Sequence, residues 1–206
     1  MDKVVVENVN FKYEDKFIFN KNLNFNLEKN KIYLLKGNNG SGKSSFINLI
    51  LKLWTKYDGD IFFDNINLRE ISREKLTDYI GITFQNTAIF NDSIRENICV
   101  GRNGNVDKII KLFSFDKDIE CMGRTLDTII ESKENLSSGQ IQKIGILRNI
   151  FENKHIYIFD EATANLDISS KKQFNNLIKY LKKDRIIIII SHEKDTIKHV
   201  DEVINF

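Results

Sequence analysis

The chain has 206 residues, of which 41% are hydrophobic and 29% are charged, which is the balance of an ordinary globular domain with a sizeable core. The formal net charge of +2 argues against a global attraction to nucleic acid or an anionic bilayer, and the longest apolar run, Ile186–Ile190, is far shorter than the ~20 residues that cross a membrane. Two cysteines without a metal-ligand or disulfide pattern, and no signal peptide, predict a reduced, cytosolic setting.

The first thirty residues predict short antiparallel strands, at 4–9, 17–19 and 23–27. Three later apolar runs, at 31–36, 155–159 and 185–190, predict buried strands that end in polar turns, as a parallel sheet covered on both faces requires. Helical spacing appears after the first run and before the last, in two sets of apolar residues: Phe46, Leu49, Ile50 and Leu53, and then Phe174, Leu177, Ile178 and Leu181. Trp54 is expected on the first of these helices, in core packing or in a contact between lobes.

Strands that alternate with helices predict an α/β fold with a mainly parallel central sheet. We expect a single domain over 1–206, with a core at 1–85 and 152–206, an N-terminal antiparallel β subdomain, and an inserted helical lobe at approximately 86–151. The strands place polar residues at their carboxyl ends, where open α/β sheets bind ligands.

A phosphate-binding loop follows the first buried strand. The pattern G-x-x-x-x-G-K-S lies between a predicted strand and a predicted helix, which is the context that a P-loop NTPase requires. Backbone amides of such a loop meet phosphate oxygens, the lysine reaches the β- and γ-phosphates, and the serine hydroxyl ligates Mg²⁺. A glycine-rich turn without a ligand is the alternative. The loop consists of Gly37, Asn38, Asn39, Gly40, Ser41, Gly42, Lys43 and Ser44.

Two carboxylates follow the second buried strand. Asp160 suits the Mg²⁺ shell of a P-loop NTPase, and Glu161 is then available to orient or deprotonate the attacking water. An isolated pair of this kind would be a solvated turn, but its place after a hydrophobic strand, in a chain with a phosphate loop, favours function.

A second glycine motif, Leu136-Ser137-Ser138-Gly139-Gln140, precedes another helical stripe. Ser137 and Gln140 form an S-x-x-Q capping box, so the motif predicts a helix N-terminus that either caps itself or binds an anion.

Taken in chain order, the segments 37–44, 136–140 and 156–161 resemble the Walker A, signature and Walker B motifs of ABC ATPases, and the resemblance extends over nearly the whole chain. By the same resemblance Gln85 is the Q-loop glutamine, Asp167 belongs to the D-loop, His192 is the switch histidine, and Tyr13 stacks on adenine. The resemblance implies ATP and Mg²⁺ as ligands, with catalysis by Lys43, Gln85, Glu161 and His192. It implies metal binding by Ser44, Gln85 and Asp160. Nucleotide contacts would come from Tyr13, from 37–45 including Ser45, from Gln85, from Ser137, Ser138, Gly139 and Gln140, and from Asp167.

The family works as a head-to-tail dimer, so the resemblance implies a nucleotide-dependent homodimer, or pairing with a second ABC ATPase domain. Ser138 departs from the family, which usually has glycine at this place. Segments 90–98 and 127–135 resemble exporter motor domains, which implies a transmembrane partner and a location at the cytoplasmic face of the membrane. An importer subunit, a soluble ATPase acting on DNA or ribosomes, and a non-hydrolysing binding module remain alternatives. No nucleic acid partner is expected.

Overall fold

The computed structural model describes residues 1–14, 16–19, 21–191 and 199–206. The strands are β1 Lys3–Asn10, β2 Lys12–Tyr13, β3 Lys16–Phe17, β4 Leu23–Glu28, β5 Lys31–Lys36, β6 Asp58–Phe63, β7 Ile66–Asn67, β8 Ile80–Thr83, β9 Asp92–Ser93, β10 Ile129–Ile130, β11 Ile156–Asp160, β12 Ile186–Ile190 and β13 Glu202–Asn205. The α-helices are α1 Lys43–Ile50, α2 Arg73–Tyr79, α3 Ile94–Cys99, α4 Val106–Leu112, α5 Phe115–Cys121, α6 Ser138–Ile150 and α7 Ile168–Leu181. Short 3₁₀ helices lie at Leu68–Glu70 and Lys133–Asn135.

The central sheet has five parallel strands in the order β13-β5-β12-β11-β8. Its inner strands are apolar at nearly every position because both faces are covered. Successive residues of β12 point to opposite sides, so that Ile187 and Ile189 pack into one core with α6 and α7, while Ile186 and Ile188 pack into a second core with α1. The predicted parallel sheet is therefore confirmed.

A second sheet is antiparallel and has the order β4-β1-β6-β7. It covers the α1 side of the central sheet through Val4, Val6, Leu27, Ile61 and Phe63. The predicted N-terminal antiparallel region is confirmed, but β6 and β7, which complete this sheet, are not among the strands predicted from the sequence. β2 and β3 form a separate two-stranded hairpin.

Four helices, α3 to α6, lie between β8 and β11, where the helical lobe is predicted, together with the short ladder of β9 and β10. The fold class is thus as predicted, whereas the domain limits near 86 and 151 stay a prediction. Among the helices that the structure describes, none has the length and apolar character needed to cross a bilayer.

The sequence prediction for the first helix is wrong at its end. α1 ends at Ile50 because Lys52 adopts a left-handed backbone conformation, with φ 53°, and its ammonium donates to the carbonyls of Arg69 and Ile71. Leu53 is therefore exposed. Trp54 lies past the helix, where its ring stacks on Phe11 with centroids 4.7 Å apart.

Candidate nucleotide site

A cleft of about 680 Å³ opens at the carboxyl ends of the central strands. Its volume falls within the range of about 300–1,000 Å³ that is usual for small-molecule sites. The residues that line it come from the N-terminal segment, the phosphate loop, the segment after β8 and the ends of β11 and β12: Ile18, Asn39, Gly40, Gly42, Lys43, Ser44, Ser45, Gln85, Asp160, Glu161 and Ile190. Five separate segments of the sequence therefore meet at one place.

The phosphate loop joins β5 to α1, as its motif predicts. Lys43 is only 8% exposed, and its Nζ donates to the carbonyl oxygens of Gly37 at 2.8 Å and Asn38 at 3.0 Å. These two hydrogen bonds hold the loop curved around the ammonium group of Lys43. Gly42 is the N-cap of α1, with φ 101°, a backbone conformation that residues with a Cβ rarely adopt.

The N-terminal segment supports this loop from one side. A Cβ built at Gly42 would lie 2.6 Å from two carbons of the buried Phe19 ring and 3.1 Å from Ile18 Cγ2. Ile18 also lines the cleft, which the sequence analysis did not foresee. An apolar residue in a strand-like segment carries no signal that would mark it as part of a nucleotide site.

The two carboxylates stand at the end of β11. Asp160 is the last residue of that strand, and its burial raises the pKa of its carboxyl group, although the nearby charge of Lys43 acts in the opposite direction. Glu161 has φ 51°, which is unusual for a residue other than glycine, and its N–H donates to the Ile190 carbonyl of the neighbouring strand at 2.9 Å. This turn fixes where the Glu161 side chain leaves the sheet.

Gln85 lies two residues beyond β8, is exposed, and faces the same cleft as Asp160 and Ser44. β8 and β11 are adjacent in the sheet, so the two strand ends carry an amide and a carboxylate to the same edge. The three predicted metal ligands are therefore brought together, and all of them offer oxygen atoms.

The signature segment lies at the start of α6 and does not line the cleft. The predicted capping box is present: Gln140 N–H donates to Ser137 Oγ at 3.2 Å, and Ser137 N–H donates to Gln140 Oε1 at 2.8 Å. Ser138 is exposed, while a Cβ at Gly139 would lie 3.1 Å from the Asn165 carbonyl. The tight position of the motif is thus Gly139, not the site of the unusual serine.

Asp167 caps the other long helix, α7, and does not line the cleft. Its carboxylate accepts from Ser170 N–H at 2.7 Å and from Ser170 Oγ at 3.2 Å, and the bond from the amide lowers the pKa of Asp167. The residue therefore has a structural role within this chain, whatever it contacts in an assembly.

The remaining candidates are dispersed. Tyr13 is exposed on the β2–β3 hairpin and does not line the cleft. Ser41 lines a separate cavity of about 280 Å³ behind the loop, beside Phe19 and Phe206. His192 lies outside the described residues.

The comparisons with known proteins agree with this geometry. A family model described as ABC transporter matches residues 20–164. The chain belongs to this family. It is 36% identical over 189 residues to an ATP-dependent lipid A-core flippase from Blochmanniella floridana, covering 89% of this chain and 32% of the relative. It is 32% identical over 208 residues to a putative multidrug export ATP-binding/permease protein from Staphylococcus aureus, covering 98% of this chain and 36% of the relative.

A solved structure described as a bacterial Atm1-family ABC exporter with ATP bound superimposes with a TM-score of 0.92 at 27% identity, covering all of this chain and 37% of the other. The expected family and fold class are thereby confirmed, and the relatives and the solved structure named here are described as a flippase, a putative multidrug export protein and an exporter. It spans about a third of the length of the curated relatives it matches.

Proposed function

We propose that this chain binds and hydrolyses ATP, and that hydrolysis powers export by a membrane-spanning partner. The observation that carries the proposal is the single cleft that joins Lys43, Gln85, Asp160 and Glu161. Phosphoryl transfer to water requires a cation that binds phosphate, a metal site rich in oxygen ligands and a carboxylate base. The four residues could supply all of these at one edge of the sheet.

Lys43 would bind the β- and γ-phosphates. Its ammonium group already points into the curve of the loop, where two backbone carbonyls hold it. Phosphate oxygens carry full negative charge and accept stronger hydrogen bonds than carbonyls, so the lysine would exchange partners with little rearrangement. The amides at the start of α1 add a positive partial charge on the same side.

The residues of the cleft fit a magnesium ion. Mg²⁺ prefers oxygen ligands, and Ser44, Gln85 and Asp160 would supply them. Because burial raises the pKa of Asp160, its ionised form is poorly solvated and gains from a nearby cation. When bound, the ion would neutralise charge on the phosphate oxygens.

Glu161 would orient and deprotonate the attacking water, with Gln85 and His192 contributing to the same step. The position of Glu161 in the cleft, beside Asp160 and Lys43, supports this role. Tyr13 would stack on adenine from the exposed β2–β3 hairpin, since a flat ring holds a base with little reading of its identity.

The site would be completed by a second copy of the chain, or by another ABC ATPase domain, in a head-to-tail dimer. The start of α6 is an exposed helix N-terminus with a serine at its cap, a suitable group to place against a γ-phosphate. Asp167 would take part at the same interface. The segment does not line the cleft of its own chain, which supports closure of the cleft by a partner.

The membrane part of the proposal rests on the relatives. Those named above are a lipid A-core flippase, a putative multidrug export protein and an Atm1-family exporter, all of which are longer than this chain. By analogy, this domain would lie at the cytoplasmic face of a membrane and bind a transmembrane partner that chooses the cargo.

The test is the mass of the Glu161→Gln protein, measured by light scattering with and without ATP and Mg²⁺. This change keeps the shape of the side chain but removes the base, so ATP should bind, persist and trap a dimer. Hydrolysis should fall by about 10²–10⁴-fold, the usual contribution of a general base.

Glu120→Gln is the matched control, because it makes the same chemical change on the exposed surface of α5. It should hydrolyse ATP like the wild type and show no trapped dimer. If Glu161→Gln hydrolyses ATP as fast as the wild type, the general base is another residue. If it remains a monomer at saturating ATP, the proposed dimer is wrong.

A further inference from the structure

A buried amide joins the signature helix to two strands of the central sheet. Asn149, near the end of α6, is 6% exposed. Its Nδ2 donates to Thr83 Oγ1 on β8 at 3.0 Å and to the Ile158 carbonyl on β11 at 3.2 Å. The Thr83 hydroxyl also contacts the Gly145 carbonyl of α6 at 3.4 Å. One amide nitrogen therefore connects three elements at once.

The packing around this amide depends on Gly81 of β8. A Cβ there would lie 2.2 Å from Asn149 Oδ1 and 3.1 Å from the Asn149 carbonyl oxygen. The absence of a side chain at Gly81 thus gives Asn149 the space to lie across the sheet and reach β11.

The stability of the fold does not by itself explain why a polar amide, that of Asn149, is buried at this place. Within the described part of the chain, Asn149 Oδ1 is buried and accepts no hydrogen bond. Burying an unsatisfied polar atom costs free energy, and an apolar side chain of similar size would avoid that cost. What distinguishes Asn149 is that its amide nitrogen bonds two strands at once, which gives it a role in geometry.

The two strands that Asn149 joins are those that carry proposed metal ligands. Thr83 lies two residues before Gln85, and Ile158 lies two residues before Asp160. In the parallel register Thr83 pairs with Phe159, so the two strand ends lie level with each other. At about 3.3 Å per residue, the bridge is roughly 7 Å along β11 from Asp160, while on the other side Thr83 is the last residue of β8 and Gln85 follows two residues later.

We propose that Asn149 is a positioning residue, which fixes the separation of Gln85 and Asp160 by tying β8, β11 and α6 together. It does not line the cleft, and so it acts through these two residues. The assignment rests on the proposed function, because it concerns the geometry of the same Mg²⁺–ATP site.

The experiment compares Asn149→Ala and Thr83→Val with the wild-type chain. Loss of a group that orients a metal ligand typically costs 10–100-fold in metal affinity or activity. We therefore expect the Mg²⁺ concentration for half-maximal hydrolysis to rise at least about tenfold and kcat to fall. Binding of a fluorescent ATP analogue without Mg²⁺, which depends on the phosphate loop, should stay within about twofold.

Asn175→Ala is the matched control. Asn175 is likewise a buried asparagine whose Oδ1 has no hydrogen-bond partner among the described residues, but it lies on α7. Its removal should lower thermal stability without moving the Mg²⁺ midpoint, because, among the described residues, Asn175 makes no side-chain hydrogen bond to β8 or β11.

Several results would overturn the assignment. The first is that folded Asn149→Ala has the Mg²⁺ midpoint and kcat of the wild type. The second is that Asn175→Ala shifts the Mg²⁺ midpoint as much as Asn149→Ala does. Should Asn149→Ala fail to fold, Thr83→Val decides alone, because valine keeps the shape of threonine. If the wild type binds nucleotide but does not hydrolyse it, the proposed function fails, and the Mg²⁺ dependence of analogue binding then decides the role of Asn149. A wild type that binds no nucleotide would refute both.

Discussion

Replacement of Gly42 by alanine should damage the phosphate loop more than the same replacement at Gly40. Gly42 has φ 101° at the N-cap of α1, and a Cβ there would lie 2.6 Å from both Cδ1 and Cε1 of Phe19. Real carbon atoms do not approach so closely, so either the ring or the loop must move. Phe19 is buried and packs edge-on against Phe206, with centroids 6.0 Å apart, which limits how far the ring can shift.

The size of the loss follows from two terms. A left-handed conformation costs a residue with a Cβ roughly 1–2 kcal/mol, and overpacking a well-filled core costs about 1–3 kcal/mol. Together they give a loss of about 2–5 kcal/mol. Part of this loss lowers the free energy of unfolding, and, where the loop relaxes, the rest weakens the binding of nucleotide. If all of it reached the affinity, even the lower figure would weaken binding about thirtyfold.

Gly40→Ala provides the matched control. Gly40 also has a positive φ, of 80°, but a Cβ built there meets nothing within 4 Å. Gly40→Ala should therefore carry only the cost of the left-handed conformation. The total loss of free energy should be about 1–3 kcal/mol larger for Gly42→Ala, which also carries the cost of overpacking. Urea unfolding and titration with a fluorescent ATP analogue measure the two parts of the loss.

Phe19→Ala, combined with Gly42→Ala, tests the cause directly. Without the ring the clash disappears, so the effects of the two changes should fail to add by at least about 1 kcal/mol. Equal losses for Gly42→Ala and Gly40→Ala, or strict additivity with Phe19→Ala, would refute the steric argument.

Three further changes test the rest of the site. Lys43→Ala should weaken binding of the ATP analogue at least about tenfold, because it removes a charged partner of the phosphates, and an unchanged affinity would remove the loop from the site. Asp160→Asn should raise the melting temperature of the nucleotide-free protein at pH 7.5. Burial raises the pKa of Asp160 above its ordinary value of 3.8, so the folded chain favours the protonated carboxyl group. The contribution of Asp160 to the free energy of unfolding is therefore highest at low pH, and it is lost as the pH rises through the raised pKa. The gain should shrink at pH 4, and a gain that is independent of pH would contradict this cause. Ser138→Gly should keep or raise ATPase activity, because Ser138 is exposed and the tight contact of the motif is at Gly139, whereas a tenfold fall in turnover would show that the hydroxyl takes part.

The local parts of this protein could be predicted from the sequence. β5 has the predicted bounds, because a short apolar run followed by a glycine-rich turn has few other stable conformations. The helical stripe of α7 is buried at Phe174, Leu177, Ile178 and Leu181, as its spacing indicates. The capping box of Ser137 and Gln140 is equally local, since both of its hydrogen bonds close within four residues.

Features that depend on distant segments could not be predicted in this way. The end of α1 depends on Lys52, whose ammonium binds carbonyls about twenty residues further along the chain. β13 was missed because its burial pattern is mostly exposed, and it is held as a strand by pairing with β5. Polar, exposed residues carry little periodic signal, so the partner decides the conformation.

Residue types and their spacing were enough to identify the chemical groups of this protein: a phosphate loop around Lys43, a carboxylate pair at 160 and 161, and a glutamine at 85. Each is recognisable because its role depends on residue type and on immediate neighbours. That these groups share one cleft follows from the fold, since the order of the parallel strands places β8 beside β11. The fold also decided that Asn149 joins those strands, because hydrogen bonds across 66 and 9 residues leave no pattern in the sequence.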